Sequence, residues 1–169
     1  KLRFTKRLSM PVIENIPEVT VARSYIYNDL RIEELKWKLP YGNPAEGILL
    51  KPFNASGRLP GILAFHDHAG NKYFGTQKIV RTSYHQHPMM ITHQKDLYQG
   101  NAWANEIARR GYVVLVPDAF PFASRRVMLK DVPVSQRQGL SDPDPEDIDG
   151  IKAYNSWAGQ HESIMAKAL

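Results

Sequence analysis

Apolar and polar positions alternate in short runs over the first third of the chain, and this pattern predicts strands. Val19 and Val21 are flanked by polar neighbours. Leu35, Trp37 and Leu39 mark alternate positions of a run over residues 31–39. Residues 46–51 begin a third such run. Turn chemistry brackets it, with Pro40-Tyr41-Gly42-Asn43-Pro44 before and Asn54-Ala55-Ser56-Gly57 after. Residues 61–66, opened by Pro60, form a continuous apolar run that reads as a buried strand. Residues 112–116 form another, closed by Pro117-Asp118. A helical pattern lies between the two over residues 101–110. Asn101 is its expected cap, and positions 103, 104, 107 and 108 are apolar. Arg109 and Arg110 suit the negative end of the dipole, and Gly111 is the expected stop. Strand, helix, strand makes a βαβ unit, so this part of the sheet is expected to be parallel and covered by helices.

Two segments depart from this regularity. Residues 71–100 are polar, His-rich and weakly periodic, and read as a functional loop or lid. Ser141-Asp142-Pro143-Asp144-Pro145-Glu146-Asp147 reads as an acidic, proline-marked helix start. Ile148, Ile151, Tyr154, Trp157, Ala158, Met165 and Leu169 then fall near helical spacing.

Composition narrows the classes. A length of 169 residues fits one domain, and 43% hydrophobic and 23% charged residues are ordinary for a globular protein. No apolar stretch approaches the roughly 20 residues a membrane helix needs, so no membrane partner is expected. The N-terminus is basic but lacks the apolar core of a signal peptide, which favours a cytoplasmic location over secretion. The absence of cysteine excludes disulfides, thiolate metal sites and a cysteine nucleophile. The net charge of +5 is spread along the chain, apart from the first seven residues and the pairs Arg109-Arg110 and Arg125-Arg126. There is no basic stripe, so nucleic acid is not an expected partner.

The chemistry concentrates where the 61–66 run ends, in His66-Asp67-His68-Ala69-Gly70. Open α/β sheets bind ligands at such strand ends. Three readings stay open. In one, small residues let the loop offer backbone N–H groups to a developing oxyanion. In the other, His66 and His68 are metal ligands, since alternate residues share a strand face. His85, His87, His93 and Asp96 are further ligand candidates. The third reading makes one histidine a buried hydrogen-bonding side chain and the other an exposed one. Asp118 ends a strand at the same sheet edge and is a candidate substrate contact or a loop cap. Arg125 and Arg126 fit a substrate carboxylate or a surface ion pair. The chain holds no G-x-S-x-G nucleophile turn. Ser141 and Asp142 read better as helix caps, and Ser156 lies within a helix.

Residues 59–70, Leu-Pro-Gly-Ile-Leu-Ala-Phe-His-Asp-His-Ala-Gly, followed by Trp103 to Asp118, resemble the α/β-hydrolase superfamily. The resemblance is to its dienelactone hydrolase and acetyl xylan esterase-like branch, and it covers residues 31 to 169. It implies an α/β fold with a partial hydrolase sheet, antiparallel N-terminal strands and then a parallel βαβ unit. It implies a division into an extension over 1–30 and half a hydrolase domain over 31–169, with a long loop at 71–100. The loop after the third strand would donate oxyanion N–H groups from His68 and Ala69. Asp67, Asp118, Arg125 and Arg126 would be substrate-binding residues. The resemblance implies a serine ester hydrolase acting on a small-molecule ester, with no cofactor and no resident metal. The nucleophile elbow, triad acid and triad histidine would follow Leu169, so this chain alone is expected to be inactive. The third strand would then show a bare apolar edge, to be covered by the C-terminal half of the fold or by an oligomeric partner. A metal-dependent hydrolase using His66 and His68, and a non-catalytic binding or scaffold protein, are the alternatives.

Overall fold

A computed structural model describes residues 16–39 and 42–161. The Pro40-Tyr41 part of the expected turn, and Met165 and Leu169 of the final helical pattern, lie outside the described residues. The fold is mixed α/β, with one five-stranded sheet in the order β1-β2-β3-β5-β4. The strands are β1 (Val19–Tyr27), β2 (Leu30–Trp37), β3 (Ala45–Pro52), β4 (Gly61–Leu63) and β5 (Val113–Pro117). β1 to β3 form an antiparallel meander, and β5 runs antiparallel to β3. β4 and β5 are parallel, with Ile62 opposite Val114. The ladder continues one residue past β4, where Ala64 N–H donates to the Leu115 carbonyl at 2.8 Å.

Among the described residues, three α-helices accompany the sheet: α1 (Pro88–Tyr98), α2 (Trp103–Arg109) and α3 (Ile148–Gln160). Among the described residues, no helix is long and apolar enough to cross a membrane. α2 makes the crossover between β4 and β5, as the expected βαβ unit requires. The main core joins Leu30, Ile32 and Leu50 of the meander to Val114 and Val116 of β5, Ile79 and Val80 of the connecting segment, and Ala104 and Ala108 of α2. The small alanines let α2 lie close on the sheet. A second cluster gathers Tyr154, Trp157 and Ala158 of α3 around Leu129. Among the described residues, no strand pairs with the outer edge of β1 or of β4. On β1, Val19, Val21 and Ile26 are exposed; at the β4 end, Leu63 and Phe65 are each 57% exposed.

Several boundaries differ from the sequence expectation. β1 pairs with β2 through a two-residue turn, Asn28-Asp29, with φ of 47° and 61°. Positive φ at both positions is the twist that closes a tight hairpin. β1 and β2 thus form one hairpin, and Val19–Tyr27 is a strand of the sheet. The 71–100 segment is not a plain loop. It holds a 3-10 turn at Thr76–Lys78 and then α1. Pro88 stands at the start of α1, where its missing N–H costs nothing, and His87 Nδ1 accepts the Met89 N–H at 3.2 Å. α2 begins after Ala102 without a side-chain cap; instead Ala104 N–H donates to the Ile79 carbonyl. The final helix starts later than Ser141. Its cap is Asp147, whose Oδ1 accepts the Gly150 N–H at 2.9 Å. Asp142 instead accepts the N–H groups of Leu129 and Lys130.

Candidate functional site

The C-terminal ends of the parallel strands β4 and β5 lie side by side, and one nitrogen of His66 ties them. His66 follows β4 and is buried. Its Nε2 accepts the Ala119 N–H, just past β5, at 3.2 Å, and its Nδ1 lies 3.1 Å from the Asp67 carbonyl. A backbone N–H can only donate, so Nε2 carries no proton and Nδ1 must donate. Burial pushes the His66 pKa down, consistent with a neutral ring. Both nitrogens are thus committed to backbone, and His66 is a strap between strand ends. A metal at His66 would have to displace one of these bonds.

After His66 the chain turns sharply. Ala69 has φ of 35° and Gly70 of 65°. The Gly70 N–H donates to His68 Nδ1 at 3.1 Å, and the Asn71 N–H donates to the His68 carbonyl at 3.2 Å. His68, Ala69 and Gly70 are exposed at the tip of this turn.

Underneath the turn lies a polar cluster the sequence pattern did not reveal. Asp67 Oδ2 accepts the Tyr98 hydroxyl at 2.6 Å and His93 Nε2 at 3.0 Å, both from α1. Oδ1 is buried and finds no donor among the described residues. Burial pushes the Asp67 carboxyl up, but the Tyr98 and His93 bonds and the Lys78 charge outweigh it and hold it below the ordinary value. Tyr98 responds in the opposite sense and is pushed up to about 12 by burial and by its bond to Asp67. Lys78 is fully buried. Its ammonium donates to the carbonyls of Asp67 at 2.8 Å and His68 at 3.0 Å, and it sits 4.4 Å from the centre of the Phe122 ring. Two acceptors and one aromatic face give the ammonium three partners. Burial still pushes its pKa down to about 8, against the pull of Asp67 and Asp118.

Asp118 is buried at the end of β5, and both its oxygens serve backbone. Oδ1 accepts the Thr76 N–H at 2.9 Å and Oδ2 the Ser124 N–H at 3.2 Å. Burial pushes its pKa up despite these bonds. Asp118 therefore holds the 75–76 loop to the 123–124 turn. Asn105 of α2 clasps the next stretch, accepting the Arg81 N–H and donating to its carbonyl. Asn155 of α3 accepts the N–H groups of both Lys72 and Tyr73.

Of the arginine pair, Arg125 stacks on Phe120, with 5.6 Å from its guanidinium carbon to the ring centre. Arg126 lies 4.6 Å over Tyr73, and its Nε is buried with no partner among the described residues. A groove of about 660 Å³ runs between β2–β3 and the 73–82 segment. Asp118, Ser124 and Arg126 line it; His68 and Ala69 do not. The structure thus joins Asp118 and Arg126 on one groove and sets the β4 turn apart from it. His87 caps α1 and His93 pairs with Asp67, so they do not converge with His85 and Asp96. Among the described residues, no three His, Cys, Asp or Glu side chains stand close enough to hold a metal ion.

No family model matches the chain, and no curated protein matches it in sequence. Among solved structures, a glucuronoyl esterase from Solibacter usitatus is similar over 90% of this chain, at 12% identity and a TM-score of 0.36. This chain spans 43% of that enzyme's length.

Proposed function

We propose that this chain forms the N-terminal half of an α/β-hydrolase-fold ester hydrolase. In this reading a serine elsewhere in the intact enzyme adds to the ester carbonyl. A histidine takes its proton, the alcohol leaves, and water then releases the acyl group. The turn after β4 supplies backbone N–H groups from His68 and Ala69 to the oxyanion. Asp67 and Asp118 fix the loops beside that turn, and Arg126 lines a groove apart from it. Small acyl esters, acetylated sugars and lactones all fit this chemistry.

The observation that carries the reading is the strand order. An antiparallel pair, β2 and β3, leads into a parallel pair in which β5 lies between β3 and β4 and α2 makes the crossover. This order brings the β4 turn to the sheet edge where such folds bind ligands. No strand among the described residues pairs with the outer edge of β4, which supports a further strand lying there in the intact enzyme, from the same polypeptide or a second chain.

The test is labelling of the full-length protein with a fluorophosphonate, alongside hydrolysis of p-nitrophenyl acetate. Stoichiometric labelling of one serine with matching loss of activity is the expected result. Stoichiometric zinc that is lost in His68→Ala, without labelling, would favour a metal hydrolase instead. Neither label nor metal would favour a binding protein.

A further inference from the structure

Lys78 is a residue that an ordinary stability argument does not account for. A lysine with no exposed surface bears a large desolvation cost, and a methionine of similar length would fill the same space without it. What the charge does there is grip two consecutive carbonyls, those of Asp67 and His68. Each carbonyl shares a planar trans peptide group with the N–H of the following residue. The gripped peptide groups are therefore those whose N–H ends belong to His68 and Ala69. In a trans peptide the N–H points opposite to the C=O, so an ammonium on the carbonyl side turns both N–H bonds away from itself.

We propose that Lys78 is a positioning residue for the β4 turn, aiming and strengthening the His68 and Ala69 N–H groups through their own peptide carbonyls. This rests on the hydrolase reading, in which those N–H groups stabilise the oxyanion. The strengthening is electronic as well as steric. A cation bound to a carbonyl withdraws charge through the amide and makes its N–H a better donor, by about 10–30% per bond in condensed phase. The aiming needs a fixed cation, and the surroundings fix it. Phe122 covers its third side, and the Ala123 N–H donates to the Lys72 carbonyl at 3.0 Å, tying the Phe122 turn to the segment that carries Lys78. Ala69, held at φ of 35°, is kept in a conformation that few side chains adopt unaided, which such an anchor would sustain.

The experiment compares Lys78→Met, Lys78→Arg and wild-type full-length protein in p-nitrophenyl acetate hydrolysis. Lys78→Met is expected to lower kcat about 10- to 100-fold with KM within about twofold, because oxyanion donors act in the transition state. Lys78→Arg keeps a cation and is expected to recover most of that loss. A wild-type enzyme that is labelled and active, with Lys78→Met equal to it in kcat, would overturn the Lys78 role and leave the hydrolase reading standing. A wild-type protein neither labelled nor active would overturn both.

Should Lys78→Met fail to fold, amide NMR of the wild type decides. The groups facing the ammonium are His66 and Asp67 from the β4 end and Asp118 from beyond β5, with His93 and Tyr98 of α1 behind Asp67. The His68 and Ala69 amide shifts should move together through one transition near pH 8, and that transition should vanish in Lys78→Arg. Shifts that stay flat, or a transition that survives in Lys78→Arg, would overturn the proposal.

Discussion

Gly75→Ala probes how tightly β5 and the 73–78 segment hold each other. Gly75 is buried directly against the Asp118 carboxylate. A Cβ at this position would overlap Asp118 Oδ1 outright, and would stand 2.9 Å from its Cγ and 2.8 Å from the Ala123 Cβ. Carbon atoms do not approach so closely, so the carboxylate must leave its site. Its departure breaks the bonds to the Thr76 and Ser124 N–H groups. Hydrogen bonds to a charged group contribute about 1.5–3 kcal/mol each. Part of that loss is returned as the carboxylate regains water, since its raised pKa shows that burial outweighs the bonds it makes. The net cost is expected to be about 2–4 kcal/mol. Urea unfolding followed by tryptophan fluorescence reads it as a lower midpoint at unchanged slope. Gly159→Ala is the matched control. That site is exposed within α3 with no heavy atom near a new Cβ, and the change should gain up to about 1 kcal/mol. A Gly75→Ala protein within about 0.5 kcal/mol of wild type would refute the argument, because the Asp118 tether would then be dispensable.

Asn155→Ala removes the shared acceptor of the Lys72 and Tyr73 N–H groups and should cost about 2–4 kcal/mol. Asn155→Asp keeps that acceptor and loses only the bond to Asn71, so it should cost less; equal urea midpoints for the two would contradict the assignment. Lys78 sits at about 8 in the folded protein against an ordinary 10.5, so the unfolded chain binds more protons between those values. Stability should therefore rise with pH from 8 towards 10, by no more than about 3 kcal/mol, and fall back as the pH drops through 8. Lys78→Met should flatten that slope in urea midpoints taken at pH 7 to 10. Above pH 10 the slope should reverse, because Tyr98, held up to about 12, keeps its proton in the folded state after the unfolded chain has released it.

The inner strands were legible in the sequence because they bury apolar side chains, whereas β1 and β4 are largely exposed and the 61–66 run is not the buried strand its apolar residues suggest. Leu30 and Ile32 in β2, and Val114 and Val116 in β5, are buried two residues apart on one face of their strands. α1 was not legible. Along its eleven residues only Met90 and Gln94 are buried, so no apolar stripe marks it. Its one local sign was Pro88 after a histidine able to cap. Val19 and Val21 marked β1, but the turn joining it to β2 was not legible because Asn28-Asp29 lacks the glycine that usually announces such a turn. At the site, the end of β4 could be located from the apolar run that stops at His66-Asp67-His68-Ala69-Gly70, but its supports could not. His93 and Tyr98 reach Asp67 from 26 and 31 residues away, and Lys78 reaches its carbonyl from 11. Contacts of that kind leave no periodicity. His66 looked like chemistry and serves as a strap, since both its nitrogens answer backbone groups.

β5 is the seam of this sheet, antiparallel to one neighbour and parallel to the other. The meander before it closes over short distances along the chain, with Tyr27 opposite Leu30 and Leu30 opposite Pro52. β5 closes over long ones, with Ile48 opposite Val116 and Ile62 opposite Val114. Loop-closure entropy rises with the span enclosed, so the β5 contacts cost the most chain freedom. Asp118, His66 and the β4 turn all hang on those contacts. The candidate site is thus built where assembly is entropically dearest, and its geometry exists only once the longest-range pairing of the described chain is in place.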